Sequence, residues 1–196
     1  MRRRSRGSQA QIDRNLILNG DAEAGEGSPN DSTVQTPPNW SVTGKFTTVQ
    51  YGASGGFAAL TAPGPANRGR NFFAGGPSNE RSEAAQSVAL TATADIDAGN
   101  VGYRVSAYLG GYASQEDDTV VKVAFMGGGT TRLGEATLGP VTAGQRQGIT
   151  GLLLRTATGT VPRGTRRLAV TITMARASGT YNDGMADNLE LVLTKR

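Results

Sequence analysis

Two turn-rich segments carry hard oxygen ligands at opposite ends of the chain, each joined to an apolar run. Asn15-Leu16-Ile17-Leu18 leads into Asn19-Gly20-Asp21-Ala22-Glu23, and Tyr181-Asn182-Asp183-Gly184-Met185-Ala186-Asp187-Asn188 leads into Leu189-Glu190-Leu191-Val192-Leu193. Calcium takes about six to eight oxygens, so carboxylates that converge with loop carbonyls could hold one. An ion shared by the first and last strands would clasp a β-sandwich, and a clasp stabilises most when the loop it closes is long. The competing use of Asp21, Asp183 and Asp187 is capping turns through Asx geometry.

A second set could bind a sugar. Tyr108, Tyr112, Gln115, Glu116, Asp117 and Asp118 surround the turn Leu109-Gly110-Gly111-Tyr112. Aromatic faces lie against the C–H surfaces of sugars, while amides and carboxylates bond the hydroxyls. The alternative is that the tyrosines close the sandwich edge and the glycines serve a tight turn. Trp40, the only tryptophan, follows Pro37-Pro38 into a strand and reads as core.

Catalysis finds less support. Asp117-Asp118 and Asp95/Asp97 are paired carboxylates, and glycoside hydrolysis needs two about 5–10 Å apart across a cleft. Adjacent strand residues point to opposite faces, so Asp117 and Asp118 would not share a substrate. The chain has no cysteine and no histidine, which removes disulfides, Cys/His zinc sites, thiol nucleophiles and imidazole acid–base schemes. The expectation is no enzyme. Gly127-Gly128-Gly129 and Gly75-Gly76 precede no helical pattern, so they read as turns and not phosphate loops.

The net charge of +4 comes entirely from Arg2, Arg3, Arg4 and Arg6. Residues 1–11 read as a basic flexible tail that either is a disordered start or touches nucleic acid. No apolar stretch follows the arginines as in a signal peptide, and no run reaches membrane-spanning length. The expected location is secreted or cell-surface, with any signal outside this chain.

Positioning these residues falls to strands. With 28 glycines, 8 prolines and 37% hydrophobic residues in 196, the composition suits many short strands in one domain over residues 12–196. Strands are expected at 12–18, 40–51, 57–61, 71–74, 85–91, 101–109, 119–126, 132–138, 151–157, 167–175 and 185–193, with 25–38 a loop. Residues 62–81 read as a packed loop held down by Phe72-Phe73. No helical period is visible. The expectation is an all-β chain folded as an antiparallel β-sandwich, a jelly roll of about ten strands.

The opening Asn15 to Gly25 resembles that of galactose-binding-like jelly rolls, including many bacterial carbohydrate-binding modules, which begin with an Asn-Leu strand, Asn-Gly, an acidic residue and Glu-x-Gly. Tyr181 to Leu189 is similar to their closing strand, where an aspartate completes a calcium site. Asn71-Phe72-Phe73-Ala74-Gly75-Gly76, Leu109-Gly110-Gly111-Tyr112 and Leu138-Gly139-Pro140-Val141-Thr142 look like the middle of a bacterial subgroup. The resemblance implies structural calcium held by Glu23 and Asp187, with Asp21 adding an oxygen; Ala22 stands where relatives often have an aromatic. It also implies a non-catalytic carbohydrate-binding or surface-adhesion module with a glycan or cell-surface polysaccharide as partner. Two alternatives stay open: a self-assembling structural subunit forming homo-oligomers, and a coat-type jelly roll with a nucleic-acid-binding arginine arm.

Overall fold

Period-two alternation builds most of the molecule. The computed structural model describes residues 11–196, so Arg2, Arg3, Arg4 and Arg6, and the arm expected of them, lie outside the described residues. The strands are β1 (Ser41–Thr43), β2 (Thr47–Gln50), β3 (Asn71–Pro77), β4 (Arg81–Ala89), β5 (Val101–Gly111), β6 (Asp118–Met126), β7 (Arg132–Leu138), β8 (Gly151–Thr160), β9 (Arg167–Ala175) and β10 (Tyr181–Lys195). They form two five-stranded sheets, β1-β4-β9-β6-β7 and β2-β3-β10-β5-β8. Every pairing of named strands is antiparallel. The fold is an antiparallel jelly-roll β-sandwich.

The core lies between the sheets. Leu168, Val170, Ile172 and Met174 of β9 and Val121, Val123 and Phe125 of β6 meet Val105, Ala107 and Leu109 of β5 and Leu189, Leu191 and Leu193 of β10. All are buried, and each fully buried aliphatic side chain contributes about 1.5–3 kcal/mol relative to exposure. Phe72 and Phe73 leave β3 on opposite faces. Phe73 enters the inter-sheet core, and Phe72 joins a second apolar cluster with Val49, Tyr51, Phe57, Ala58, Leu152 and Met185. Residues 51–70 cross the outer face of the β2-β3-β10-β5-β8 sheet there. Phe57 pins them, its ring edge-on to Phe72 at 6.0 Å and to Tyr181 at 5.1 Å.

Four expectations need correction. Residues 12–18 make only isolated bridges to β10, Ile12 to Leu193 and Asn15 to Val192. The Asn15 side chain replaces a backbone ladder: its Oδ1 accepts from Leu191 N and its Nδ2 donates to Leu189 O. The single strand expected over 40–51 is two, β1 and β2, in different sheets. The break falls at Gly44, whose φ of +67° and closeness to Arg81 O leave no room for a side chain. Residues 57–61 are loop, with Phe57 and Ala58 buried in the cluster around Phe72 and Leu60 exposed. A five-residue helix, α1 (Thr93–Asp97), was not foreseen, because one turn is too short to show a helical stripe.

Candidate functional site

Asp187 lies inside β10, opposite Tyr108 of β5, with its side chain fully buried. Its Oδ2 accepts the Tyr51 hydroxyl at 2.6 Å and its Oδ1 accepts Asn188 N at 2.7 Å. Burial pushes this carboxyl up to about 8; both hydrogen bonds oppose the rise, and the charges of Glu23 and Asp21 add to it. Burial first, and the Asp187 charge second, also raise the Tyr51 hydroxyl. The β10–β5 register slips between Asp187 and Glu190, where Asn188 takes a φ of +47°. Such a bulge re-aims side chains beside a site.

The first loop reaches the same place. Glu23 Oε1 accepts the amides of Arg70 at 2.8 Å and Asn71 at 2.7 Å, while its Oε2 is 3.8 Å from Arg70 Nε. Asn71 Nδ2 bonds the carbonyls of Ala22 and Gly25 at 3.2 Å each, holding the turn onto β3. Asp21 Oδ1 faces Glu23 N at 3.4 Å. The chemistry of this set suits calcium: every donor is oxygen, and Asp187 is buried beside two other negative charges with no cationic side chain among the described residues bonded to it. Among the described residues no three Asp, Glu, His or Cys side chains converge as a metal cluster. An ion held by Glu23 and Asp187 would therefore complete its shell with carbonyls and water.

Asp183, the fourth expected ligand, is elsewhere. It sits at an earlier irregularity of β10, between Asn182 and Met185, with 8% of its surface exposed. Burial, with the nearby Asp117 charge second, pushes its carboxyl up to about 7. Asp117 is itself buried, and its two oxygens take three backbone amides, Ala177 at 2.8 Å, Ser178 at 3.1 Å and Asp183 at 2.8 Å. That carboxylate ties β6 to the turn before β10 and has little left for a ligand.

The tyrosines expected to form a sugar platform are half-buried. Tyr108 and Tyr112 pack against the second apolar cluster, and a Cβ on Gly56 would lie 2.7 Å from the Tyr112 ring. Arg146 fixes the following loop, donating to the carbonyls of Gly111 at 3.0 Å, Ala113 at 2.8 Å, Gln115 at 2.9 Å and Ile149 at 2.8 Å. Gln115 is half-buried there, and its Oε1 has no hydrogen-bond partner among the described residues. Of the other carboxylates, Glu116 accepts Ala143 N at 3.0 Å. Asp95 pairs with Lys195 at 2.8 Å and Asp97 with Arg166 at 2.8 Å. Asp117 and Asp118 diverge, one inward and one to the outer face.

That outer face, of the β1-β4-β9-β6-β7 sheet, escaped the sequence reading. Register places Arg81-Ala175-Asp118, Glu83-Thr173-Val120, Ala85-Thr171-Lys122-Thr137 and Ser87-Ala169-Ala124-Glu135 in successive rows across it. Small residues make the floor of a shallow groove of about 520 Å³, walled by Arg81, Glu83, Asp118, Lys122, Arg132 and Glu135. Thr173 Oγ1 donates to Glu83 Oε1 at 3.2 Å, Lys122 Nζ is 3.8 Å from Glu135, and Arg132 pairs with the same carboxylate. Burial raises the Asp118 carboxyl, with Arg81 opposing. The signal was the set of outward positions in β9, Ala169, Thr171, Thr173 and Ala175, which holds no large side chain.

No family model matches the chain, and no curated protein matches its sequence. Among solved structures it is similar to the enzymatically active domain of tailspike protein 4 of bacteriophage CBA120, at 12% identity and a TM-score of 0.52 over 93% of this chain and 21% of that one. The chain thus spans about a fifth of that protein's length. It is also similar to a CBM22-1 xylan-binding domain from Paenibacillus barcinonensis (12% identity, TM-score 0.45, 84% of this chain and 91% of that one). A third likeness is to a CBM4 module, at 16% identity and a TM-score of 0.43 over 91% of this chain and 99% of that one. Identities this low speak to fold and not to ligand. The class is an antiparallel jelly-roll β-sandwich of two five-stranded sheets.

Proposed function

We propose that this chain is a non-catalytic polysaccharide-binding module, secreted or displayed at a cell surface, that adheres to glycan chains and is stabilised by calcium held between Glu23 and Asp187. One observation carries the binding reading: the sheet face, open among the described residues, on which Arg81, Glu83, Asp118, Lys122 and Glu135 stand around a floor of Ala and Thr. Side chains on a five-stranded sheet are held rigid, so an extended chain can be hydrogen-bonded at several rows with little ordering cost. The face carries both signs of charge and no aromatic ring, which suits a polar or charged polysaccharide better than a crystalline, apolar one. Calcium would act on the fold alone: Glu23 and Asp187 bind it, Asp21 lies beside them, and the ion neutralises the carboxylate that the fold buries at Asp187.

The test is affinity electrophoresis through gels containing neutral, acidic and basic polysaccharides, with wild type, Glu83→Ala and Lys122→Ala. Retardation by one polysaccharide class that both variants weaken supports the reading. Mobility unchanged in every gel overturns it.

A further inference from the structure

Each sheet has two edge strands, and an uncovered edge is a template for pairing with another chain. Three of the four edges here are guarded. β1 has three residues. β2 is bonded along its outer side by Ser28 N to Thr48 O, Gln50 N to Ser28 O and Thr48 N to Gln35 O. β7 is flanked by Arg132 and Glu135, and its register against β6 slips between Phe125 and Met126.

β8 is the least protected of the four. It runs for ten residues, Gly151–Thr160, and only its start is covered, by Leu152 N bonding Pro63 O at 2.9 Å. From Leu153 to Thr160, among the described residues, no backbone bond reaches it except from β5. The segment Leu153-Leu154-Arg155-Thr156-Ala157-Thr158-Gly159-Thr160 contains no proline, lysine or carboxylate. Its one charge, Arg155, turns to Leu154 O at 3.0 Å and Gln145 Oε1 at 2.8 Å.

We propose that this edge pairs antiparallel with β8 of a second copy of the chain, across a two-fold axis at Ala157, joining two five-stranded sheets into one. About that point the strand is self-complementary. Thr156 then faces Thr158, Arg155 faces Gly159, and Leu154, half-exposed at 50%, lies beside Thr160. Centring on Arg155 would oppose like charges, and centring on Thr156 would draw in Leu152, whose amide Pro63 already holds. Cross-strand threonine pairs favour a sheet, and an isologous contact closes on itself as a dimer. The pairing uses neither the Glu23–Asp187 junction nor the open face of the other sheet, so it stands apart from polysaccharide binding.

Light scattering coupled to size-exclusion chromatography tests it across a concentration series. Wild type is expected to approach twice the chain mass as concentration rises; the mass of one chain throughout overturns the proposal. The double variants Thr156→Lys/Thr158→Lys and Thr156→Glu/Thr158→Glu change only exposed positions, and circular-dichroism melts check that each folds. In the proposed register each opposes like charges and dimerises at least about tenfold more weakly. Mixing the two restores the dimer, because every lysine then faces a glutamate. Dimers that ignore both variants, or a mixture that stays monomeric, overturn the register and with it the proposal. A monomer that still binds polysaccharide sinks this inference alone.

Discussion

The Tyr51 hydroxyl donates to the Asp187 carboxylate at 2.6 Å, across 136 positions of sequence and with no exposed surface on the aspartate. The bond joins the end of β2 to the centre of β10 and holds the outer cluster to the sheet. Tyr51→Phe keeps the ring against Phe72, at 4.8 Å between centroids, and removes only the donor. A buried carboxyl that loses its partner costs about 1–3 kcal/mol. Urea unfolding is expected to show that loss; a change below a few tenths would mean that the hydroxyl carries no weight.

Calcium is expected to raise the melting temperature of wild type and a chelator to lower it. An ion present at about 100 times its dissociation constant stabilises by about 2.7 kcal/mol. Asp187→Asn and Glu23→Gln should each abolish the response, while Asp183→Asn keeps it, because Asp183 stands with Asp117 instead. Differential scanning calorimetry of the four proteins decides this, and an Asp183→Asn variant deaf to calcium would join that residue to the site after all.

Asp183 also gives a pH dependence. Burial beside Asp117 lifts its folded pKa from 3.8 to about 7. The folded state therefore holds a proton that the unfolded state releases, and stability must fall as pH rises between those values. This contribution is full below about 4 and gone above about 7. Burial first, and then the charges of Asp183 and Asp31, raise the neighbouring Tyr181 hydroxyl. Chelator-treated wild type is expected to lose stability from pH 5 to pH 8, and Asp183→Asn to lose less; parallel curves for the two would contradict the assignment.

The sequence made the regular strands legible and hid the irregular ones. β6, β7 and β9 start and end within a residue of expectation, because Val121-Val123-Phe125 and Leu168-Val170-Ile172-Met174 alternate cleanly against a solvated face. Residues 12–18 misled because Leu16 and Ile17 are core, yet only Asp13 N and Leu16 N bond the β10 backbone, with the Asn15 side chain filling the rest. The resemblance singled out Glu23 and Asp187, and the structure brings the charge of one within reach of the other. The outer groove was not legible: its floor of Ala and Thr acquires meaning only when registers of separate strands bring the rows together.

Arg146 shows how much rests on one buried guanidinium. It donates to four carbonyls from 111 to 149, and burial lowers its pKa, with Glu116 opposing. Arg146→Met retains much of the stem and strands those oxygens. Several unsatisfied buried acceptors together cost about 3 kcal/mol or more. Loss of the cooperative transition at moderate urea, with faster amide exchange in 111–117 than in β9, is the expected result; unfolding as resistant as wild type would show that water replaces the guanidinium.

Tyr112 separates the two surfaces that could hold a glycan. Its ring lies against Gly56 and the outer apolar cluster, so Tyr112→Ala is expected to destabilise by about 1–3 kcal/mol through lost burial. Binding to polysaccharide by the folded protein should survive that change, since the groove on the opposite sheet is untouched. Lys122→Ala should do the reverse, leaving stability within about 0.5 kcal/mol, as exposed substitutions do, and weakening retention. The loop over residues 51–70 is what makes the two outcomes exclusive: it packs onto the tyrosine side and leaves the other sheet bare. Retention lost in Tyr112→Ala with stability intact would therefore place the ligand against the tyrosines and leave the open face without a role.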